Sequence, residues 1–107
     1  MTPEGEVKRE VKKIFKKHDV LYFMYVPGGW SKSGISDFVC CVNGWYMEVE
    51  TKATHNIKPT PLQKHNAELV TAAGGIHLFI HGGTLQLLEN TIIALKRSRP
   101  YASSIAQ

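Results

Sequence analysis

Asp37, Glu50 and Lys52 are the residues of this chain whose types and spacing could do chemistry. The two acids lie near the open end of a predicted β-hairpin, in positions whose Cβ atoms would be about 5 Å apart. Two carboxylates at that separation repel each other, whereas a divalent cation between them makes the arrangement favourable. Lys52 follows Glu50 by two residues, so both side chains point to the same face of the strand. Two acids and a lysine on one face are typical of a metal-dependent phosphodiesterase site.

The hairpin that positions these residues is predicted by the pair Asn43-Gly44 between two apolar-rich runs, 35–42 and 45–52. Asn-Gly is the strongest short-range signal for a type I′ turn, because both central residues need positive φ. A two-residue turn fixes the register of the two strands. The register that follows places Asp37 opposite Glu50.

The same residues resemble the PD-(D/E)XK nuclease signature, and the flanking segments resemble its virus-type replication-repair nuclease (VRR-NUC) branch. The matching segments are 34–37, 50–53, 58–63 and 72–75. The resemblance extends from about Glu6 to the last predicted helix. It implies an α/β fold with a restriction-endonuclease-like mixed sheet flanked by helices. Ser36 stands where the family usually has a proline before the aspartate, a difference that changes backbone rigidity but removes no ligand.

The resemblance also implies a role for each residue of the motif. Asp37, Glu50 and the main-chain carbonyl of Thr51 would bind Mg²⁺, for which Mn²⁺ would substitute. Lys52 would orient or activate the attacking water. Gln63 matches the glutamine that follows the site in the family, so we count it among the catalytic residues.

Two further acids are candidates for additional site residues. Glu6 takes the position of an acid on the family's N-terminal helix, although the helix dipole alone explains an acid there. Glu48 creates a Glu-x-Glu-x-Lys run and lies on the same strand face as Glu50. We expect Glu50 to be the ligand and Glu48 to hydrogen-bond Lys52 or a metal-bound water.

The activity that the resemblance implies is a Mg²⁺-dependent, structure-specific DNA endonuclease. Stand-alone members of the branch resemble enzymes of DNA repair that form homodimers and cut branched DNA such as Holliday junctions. Two alternatives stay open. One is a non-catalytic nucleic-acid-binding module with a nuclease-like fold, and the other is a small α/β interaction domain whose charged residues are accidental.

Length and composition fit one soluble domain. The chain has 107 residues, of which 43% are hydrophobic and 21% charged, and we expect a single nuclease-like domain over 1–99 and a short, disordered tail over 100–107. No run approaches the ~18 apolar residues of a membrane span, and no signal peptide is visible. We therefore expect a cytoplasmic protein that does not bind membranes.

Basic residues cluster on the first predicted helix and at the end of the chain, within a net charge of +4. Such clusters favour a polyanionic partner, although a solvated helix face is an equally good explanation of charge alone. The candidate DNA contacts are Lys8, Arg9, Lys12, Lys13, Trp30, Lys32, Lys58 and Lys64.

The predicted order of elements is α-β-β-β-α-β-α, with helices over 3–18 and 61–73 and strands over 20–26 and 76–80 outside the hairpin. From Thr84 the pattern fits either one helix to Arg97 or a short strand over 85–88 and a helix capped by Asn90. The second helix is expected to bury an apolar face. That face consists of Leu62, Leu69, Val70 and Ala73.

The cysteines and histidines point to no metal site of their own. Cys40 and Cys41 are adjacent in a strand, so they face opposite ways and are expected to be small, reduced core residues. The histidines lack metal-ligand spacing. We expect His55 and His65, which flank the connector near the site, to contact substrate, and we expect His77 and His81 to be structural.

Overall fold

The computed structural model describes residues 1–26 and 34–100, and in it a four-stranded mixed sheet carries helices on both faces. The elements are α1 (Pro3–Lys17), β1 (Leu21–Met24), β2 (Phe38–Val42), β3 (Trp45–Thr51), α2 (Pro61–Ala72), β4 (Ile76–Ile80) and α3 (Leu85–Leu95). The predicted fold class and element order are confirmed. The predicted loop before Gly34, and the tail after Pro100, lie outside the described residues.

The predicted hairpin joins β2 to β3. Asn43 and Gly44 have φ of 52° and 88°, as a turn with two left-handed central residues requires. Val42 pairs with Trp45, and the antiparallel ladder continues without a bulge to the far end of β2. The predicted register is therefore confirmed.

The sheet order is β1-β2-β3-β4, and β4 runs parallel to β3. A parallel pair needs a crossover connection, which α2 supplies. Beyond the ladder, the backbone N–H of Lys52 donates to the carbonyl of Ile80 over 2.8 Å. The carboxyl ends of β3 and β4 therefore lie side by side, and the candidate site is built at that edge.

One face of the sheet packs against α1 and α3 and forms the hydrophobic core. Phe15 of α1 lies edge-on to Phe38 of β2, with ring centroids 5.4 Å apart. Burying each such side chain contributes about 1.5–3 kcal/mol. The fully buried aliphatic core residues include Val11, Val49, Ile80, Leu88 and Ile92. Because strand side chains alternate, the other face of β3 is left for Glu48 and Glu50.

The helix α2 covers that second face, and of its predicted apolar side only Val70 is buried. Leu62 and Leu69 are 56% and 42% exposed, and Ala73 is also exposed. The buried positions are Asn66 and Val70. The physical reason is that α2 lies over carboxylates of β3, so its inward residues are chosen for hydrogen bonding as much as for burial.

The helix N-caps follow the sequence. Thr2 accepts from the backbone N–H of Gly5 at the start of α1, and Thr60 forms a capping box with Gln63 at the start of α2. Both caps satisfy backbone donors that would otherwise lack a partner. After the 3₁₀ turn Gly82–Thr84 the chain is a single helix. The first of the two alternatives for this segment is thus the observed one.

The cysteines point to opposite faces of β2, as expected, and both are free. Cys40 is buried, and its burial raises the pKa of the thiol to about 12. Cys41 is exposed, so the expectation of two core cysteines holds for Cys40 alone. Among the described residues, no helix combines the length and the apolar character needed to cross a membrane.

Candidate active site

Asp37 is the last residue before β2, and its carboxylate is tied to the end of β3. Its Oδ2 accepts hydrogen bonds from the backbone N–H and the hydroxyl of Thr51, at 2.8 and 2.6 Å. Its own backbone N–H donates to Oε1 of Glu50 over 3.0 Å. The predicted pairing therefore brings the two acids together, with Asp37 just beyond the regular ladder rather than within it.

Glu50 is 6% exposed, and its surroundings combine opposing charges. Besides the contact with Asp37, its Oε2 accepts from Nε2 of Gln63 over 2.7 Å and lies 3.7 Å from Nζ of Lys52. Burial and then the charge of Asp37 raise the pKa of Glu50 to about 7, against the smaller opposing effect of Lys52. Burial, with the neighbouring acid adding to it, thus raises the pKa of Glu50 well above that of an exposed glutamate.

Gln63 links the acid to the lysine. Its Oε1 accepts from Nζ of Lys52 over 2.7 Å and from the backbone N–H of Thr60 over 3.0 Å, while its Nε2 donates to Glu50. The amide therefore reads as one acceptor end and one donor end, which the hydrogen-bond network assigns. The first turn of α2 thus orients the Lys52 ammonium beside the carboxylates.

The helix α1 contributes an acid, Glu4, which the sequence did not single out, and a cation, Lys8, which was expected to contact DNA. Nζ of Lys8 lies 3.6 Å from Oδ1 of Asp37 and 3.6 Å from Oε2 of Glu4. The charge of Glu4 also raises the pKa of Glu50. The i, i+4 spacing of Glu4 and Lys8 was the signal that could have found this pair. Glu6 is exposed and lines a separate cavity.

Glu48 is enclosed and satisfied. It is 3% exposed, and its Oε1 accepts from Nδ2 of Asn66 over 2.7 Å. Its Oε2 accepts from the hydroxyl of Tyr46; burial and that hydrogen bond raise the pKa of Tyr46. The expected hydrogen bond to Lys52 is not made.

Ser36 anchors the backbone immediately before Asp37. It is 1% exposed, and its hydroxyl lies 2.9 Å from Nε2 of His77 on β4. Burial lowers the pKa of His77, and its buried Nδ1 has no hydrogen-bond partner among the described residues. The neutral ring donates to or accepts from the Ser36 hydroxyl according to which ring nitrogen carries the proton. A buried polar contact thus holds the position that a proline occupies in the resembling family.

The donor set fits a hard divalent cation. Asp37 and Glu50 present carboxylate oxygens beside the backbone of Thr51, and oxygen ligands suit Mg²⁺ and Mn²⁺. Residues 1–26 and 34–100 contain no group of three or more His, Cys, Asp or Glu side chains that could hold a metal. A cation here would be bound by two carboxylates, the carbonyl of Thr51 and water molecules. Mg²⁺ sites in proteins usually combine one or two carboxylates with several waters.

The predicted DNA-contacting residues lie in several regions. Lys8 is at the carboxylates, Lys58 lines a cavity beside the site, and Lys64 is exposed on α2. Others are exposed on α1, namely Arg9, Lys12 and Lys13. Trp30 and Lys32 lie outside the described residues.

The architecture as a whole is similar to a solved structure described as a VRR_NUC domain. The match has a TM-score of 0.65 at 23% sequence identity and covers 94% of this chain and 100% of that one. No protein-family model matches the sequence, and no curated protein matches it. At 23% identity this similarity establishes the fold alone. The chain therefore has the fold of a VRR-NUC nuclease domain, with two carboxylates, a lysine and a glutamine meeting at the edge where β3 and β4 end.

Proposed function

We propose that the chain is a Mg²⁺-dependent DNA endonuclease that hydrolyses phosphodiester bonds. The observation that carries the proposal is the meeting of Asp37 and Glu50, with Lys52 held 3.7 Å from Glu50 by Gln63. A fold shared with a VRR-NUC domain supports it. Burial and the charge of Asp37 both oppose the ionisation of Glu50, and carboxyl groups perturbed in this way cluster at functional sites.

Each residue has a distinct part in the proposed chemistry. Asp37, Glu50 and the carbonyl of Thr51 would hold Mg²⁺ or Mn²⁺. When bound, the cation supplies charge neutralisation at the phosphate and a water of lowered pKa. The Lys52 ammonium lies where it can stabilise the negative charge that develops on the phosphorane oxygens. Gln63 fixes the direction of that ammonium and so excludes other orientations of Lys52.

We further propose that branched DNA, such as a Holliday junction, is the substrate, that the chain acts as a homodimer, and that it serves DNA repair in the cytoplasm. Two symmetric cuts need two sites related by a two-fold axis. Leu21 and Phe23, which are 59% and 67% exposed on the edge strand β1, offer an apolar surface that a second copy could cover. Two free cysteines, Cys40 and Cys41, suit a reducing compartment.

The test is cleavage of a synthetic four-way junction, a linear duplex of the same sequence and supercoiled plasmid, with Mg²⁺ or with EDTA. We expect Mg²⁺-dependent cutting that Asp37→Asn and Glu50→Gln abolish. Glu68→Gln is the matched control, because Glu68 is an exposed acid on α2 to which no site role is assigned. Turnover by either site variant would overturn the mechanism. Band shifts without cutting would favour the DNA-binding module, and equal cutting of duplex and junction would overturn the branched substrate.

The homodimer has its own test, sedimentation of the protein alone and with the junction. We expect a mass of two chains per junction. Substitution of Phe23 by Lys places a charge on the exposed edge strand and should reduce the dimer to monomers. A monomer that still cuts both strands symmetrically would overturn the two-fold arrangement.

A further inference from the structure

A cavity of about 200 Å³ opens beside the candidate site, at the edge where β3 and β4 end. Its polar lining consists of Lys52, Thr54, His55, Lys58 and His81, and no described residue that lines it is acidic. A larger cavity between α2 and the hairpin, by contrast, contains Glu48. The small cavity therefore has the electrostatic character of an anion site.

His81 presents a hydrogen-bond donor to this cavity. Its Nδ1 accepts from the backbone N–H of Gly83 over 3.0 Å, so a neutral ring carries its proton on Nε2. The backbone N–H of His81 also donates to the hydroxyl of Thr84 over 3.0 Å. The ring of His55 lies 6.0 Å from that of His81, centroid to centroid. The 3₁₀ turn after β4 thus fixes an imidazole donor beside a second imidazole.

Two other side chains add donors to the same lining. The hydroxyl oxygen of Thr54 accepts from the backbone N–H of Asn56 over 3.3 Å, which leaves its proton free to donate outward. Lys58 is exposed, and no acid in the described chain forms an ion pair with it. An ammonium, a hydroxyl and an imidazole N–H therefore belong to residues that line the same small cavity.

The catalytic lysine connects this cavity to the site. The stem of Lys52 lines the cavity, while its ammonium donates to Gln63 and faces Glu50. An occupant of the cavity would thus be a neighbour of the group that reacts at the carboxylates. Ile57, Pro59 and Phe79 supply an apolar wall, which suits the sugar that accompanies each phosphate of a DNA strand.

We propose that this cavity binds a phosphate of the DNA strand next to the scissile phosphodiester, with Lys58, Thr54 and His81 as its donors. The inference rests on the proposed function, because it assigns a position to the substrate of the same site. It also gives His81, which the sequence indicated to be structural, a role in holding the strand in place. A flanking phosphate held here would fix which bond faces the carboxylates.

Binding without cleavage is the first test, measured as fluorescence anisotropy of a labelled four-way junction in EDTA. Lys58→Met keeps the aliphatic stem and removes the charge, and we expect it to weaken binding about fivefold and to lower the slope of log affinity against log salt by about 0.9. His81→Asn keeps an acceptor for Gly83 and removes the distal N–H, and should weaken binding by a smaller factor. Lys96→Met is the matched control, since Lys96 follows α3 near the hairpin turn at the other end of the sheet.

A double-mutant cycle then identifies the phosphate. Neutral methylphosphonates are placed one at a time along the junction strand, and each is tested against the wild-type chain and Lys58→Met. At the phosphate that the cavity binds, the two changes should not add, so that the variant loses no further affinity. Additive losses at every position would overturn the proposal. A junction strand that ends in a phosphate at the coupled position is then compared with the uninterrupted strand. Tighter binding of the ended strand indicates that the cavity takes a terminal phosphate, and equal binding indicates an internal one.

The readout separates this inference from the proposed function. If the wild-type chain does not cut but one coupled phosphate is found, the cavity binds DNA and the endonuclease proposal fails. If the chain cuts and Lys58→Met binds as tightly as Lys96→Met, the phosphate site fails and the endonuclease proposal stands.

Discussion

Glu48 and Glu50 lie two residues apart on the same face of β3 and beneath the same helix, yet their surroundings differ in kind. Glu48 is bound by two neutral donors, from Tyr46 and Asn66. Glu50 accepts from the backbone N–H of Asp37, feels the charge of that residue's carboxylate and lies 3.7 Å from the Lys52 ammonium. The two neutral donors give Glu48 a structural role, whereas the charged neighbours of Glu50 are the basis of the cation site that we propose there.

The helix α2 donates one side-chain hydrogen bond to each acid, so the difference between their surroundings comes from their positions along β3. Gln63 and Asn66 are three residues apart, which puts both amides on one face of α2, and each donates to one of the acids. What distinguishes Glu50 is its position near the end of β3, where the backbone N–H of Asp37 donates to it. We therefore place the proposed chemistry at the edge where the sheet ends and not beneath the middle of the covering helix.

The largest effect should come from changing the acids at the edge. Asp37→Asn and Glu50→Gln should each reduce the cleavage rate by about 10³-fold or more, because each removes a charged oxygen from the proposed cation site. Single-turnover cleavage of the junction in Mg²⁺ measures this. An unchanged melting temperature in EDTA would show that the variants lose activity and not stability. Near-normal cleavage by either variant would contradict a different role for Glu50 and Glu48.

A smaller loss is expected when the link to the lysine is cut. Gln63→Ala should lower the cleavage rate by about 10- to 100-fold, as removal of outer-shell partners does elsewhere. Since Gln63 also completes the capping box, Thr60→Ala is the control: it removes the cap at a cost of about 1 kcal/mol of stability. If Thr60→Ala slows cleavage as much as Gln63→Ala, the amide acts through the helix and not through Lys52.

The enclosed acid should show the opposite behaviour. Glu48→Gln leaves one of the donors from Tyr46 and Asn66 facing an amide N–H, and should cost about 1–3 kcal/mol of stability. Cleavage at a temperature well below unfolding should be retained. Urea unfolding and the junction assay on the same sample measure both quantities. Loss of cleavage in a folded Glu48→Gln chain would make Glu48 a ligand.

The smallest effect concerns pH. Burial and the charge of Asp37 raise the pKa of Glu50 from an ordinary value of 4.5 to about 7 in the folded chain. Between these two pH values the folded chain therefore holds a proton that the unfolded chain has released. The stability that this group contributes is fully present below about pH 4.5 and is lost as pH rises through about 7. In EDTA the melting temperature should fall over this window, and Glu50→Gln should flatten the fall. An identical profile for wild type, Glu68→Gln and Glu50→Gln would contradict the raised pKa of Glu50.

Local signals predicted the frame of the site. The Asn43-Gly44 turn determined the hairpin and its register, and through them the closeness of Asp37 and Glu50. Thr60 marked the start of α2 and thereby the turn that carries Gln63. In each case the determining interaction lies within a few residues, so sequence alone is sufficient.

Other parts of the site depend on how elements cross, which spacing does not reveal. Asn66 is buried because α2 lies over Glu48, and an apolar pattern could not predict a polar inner face. Glu4 joins the site because α1 meets the strand edge at its first turn. His81 depends on the parallel pairing of β4, which brings the end of one strand beside the end of another.

Gln63 serves two structures with one amide, and this couples assembly of the site to the nucleation of a helix. Any fraying of the opening turn of α2 releases the Thr60 amide and the Lys52 ammonium together. Warming should therefore abolish the proposed cleavage in a range where the sheet is still intact, so that the activity would be lost at a lower temperature than the fold.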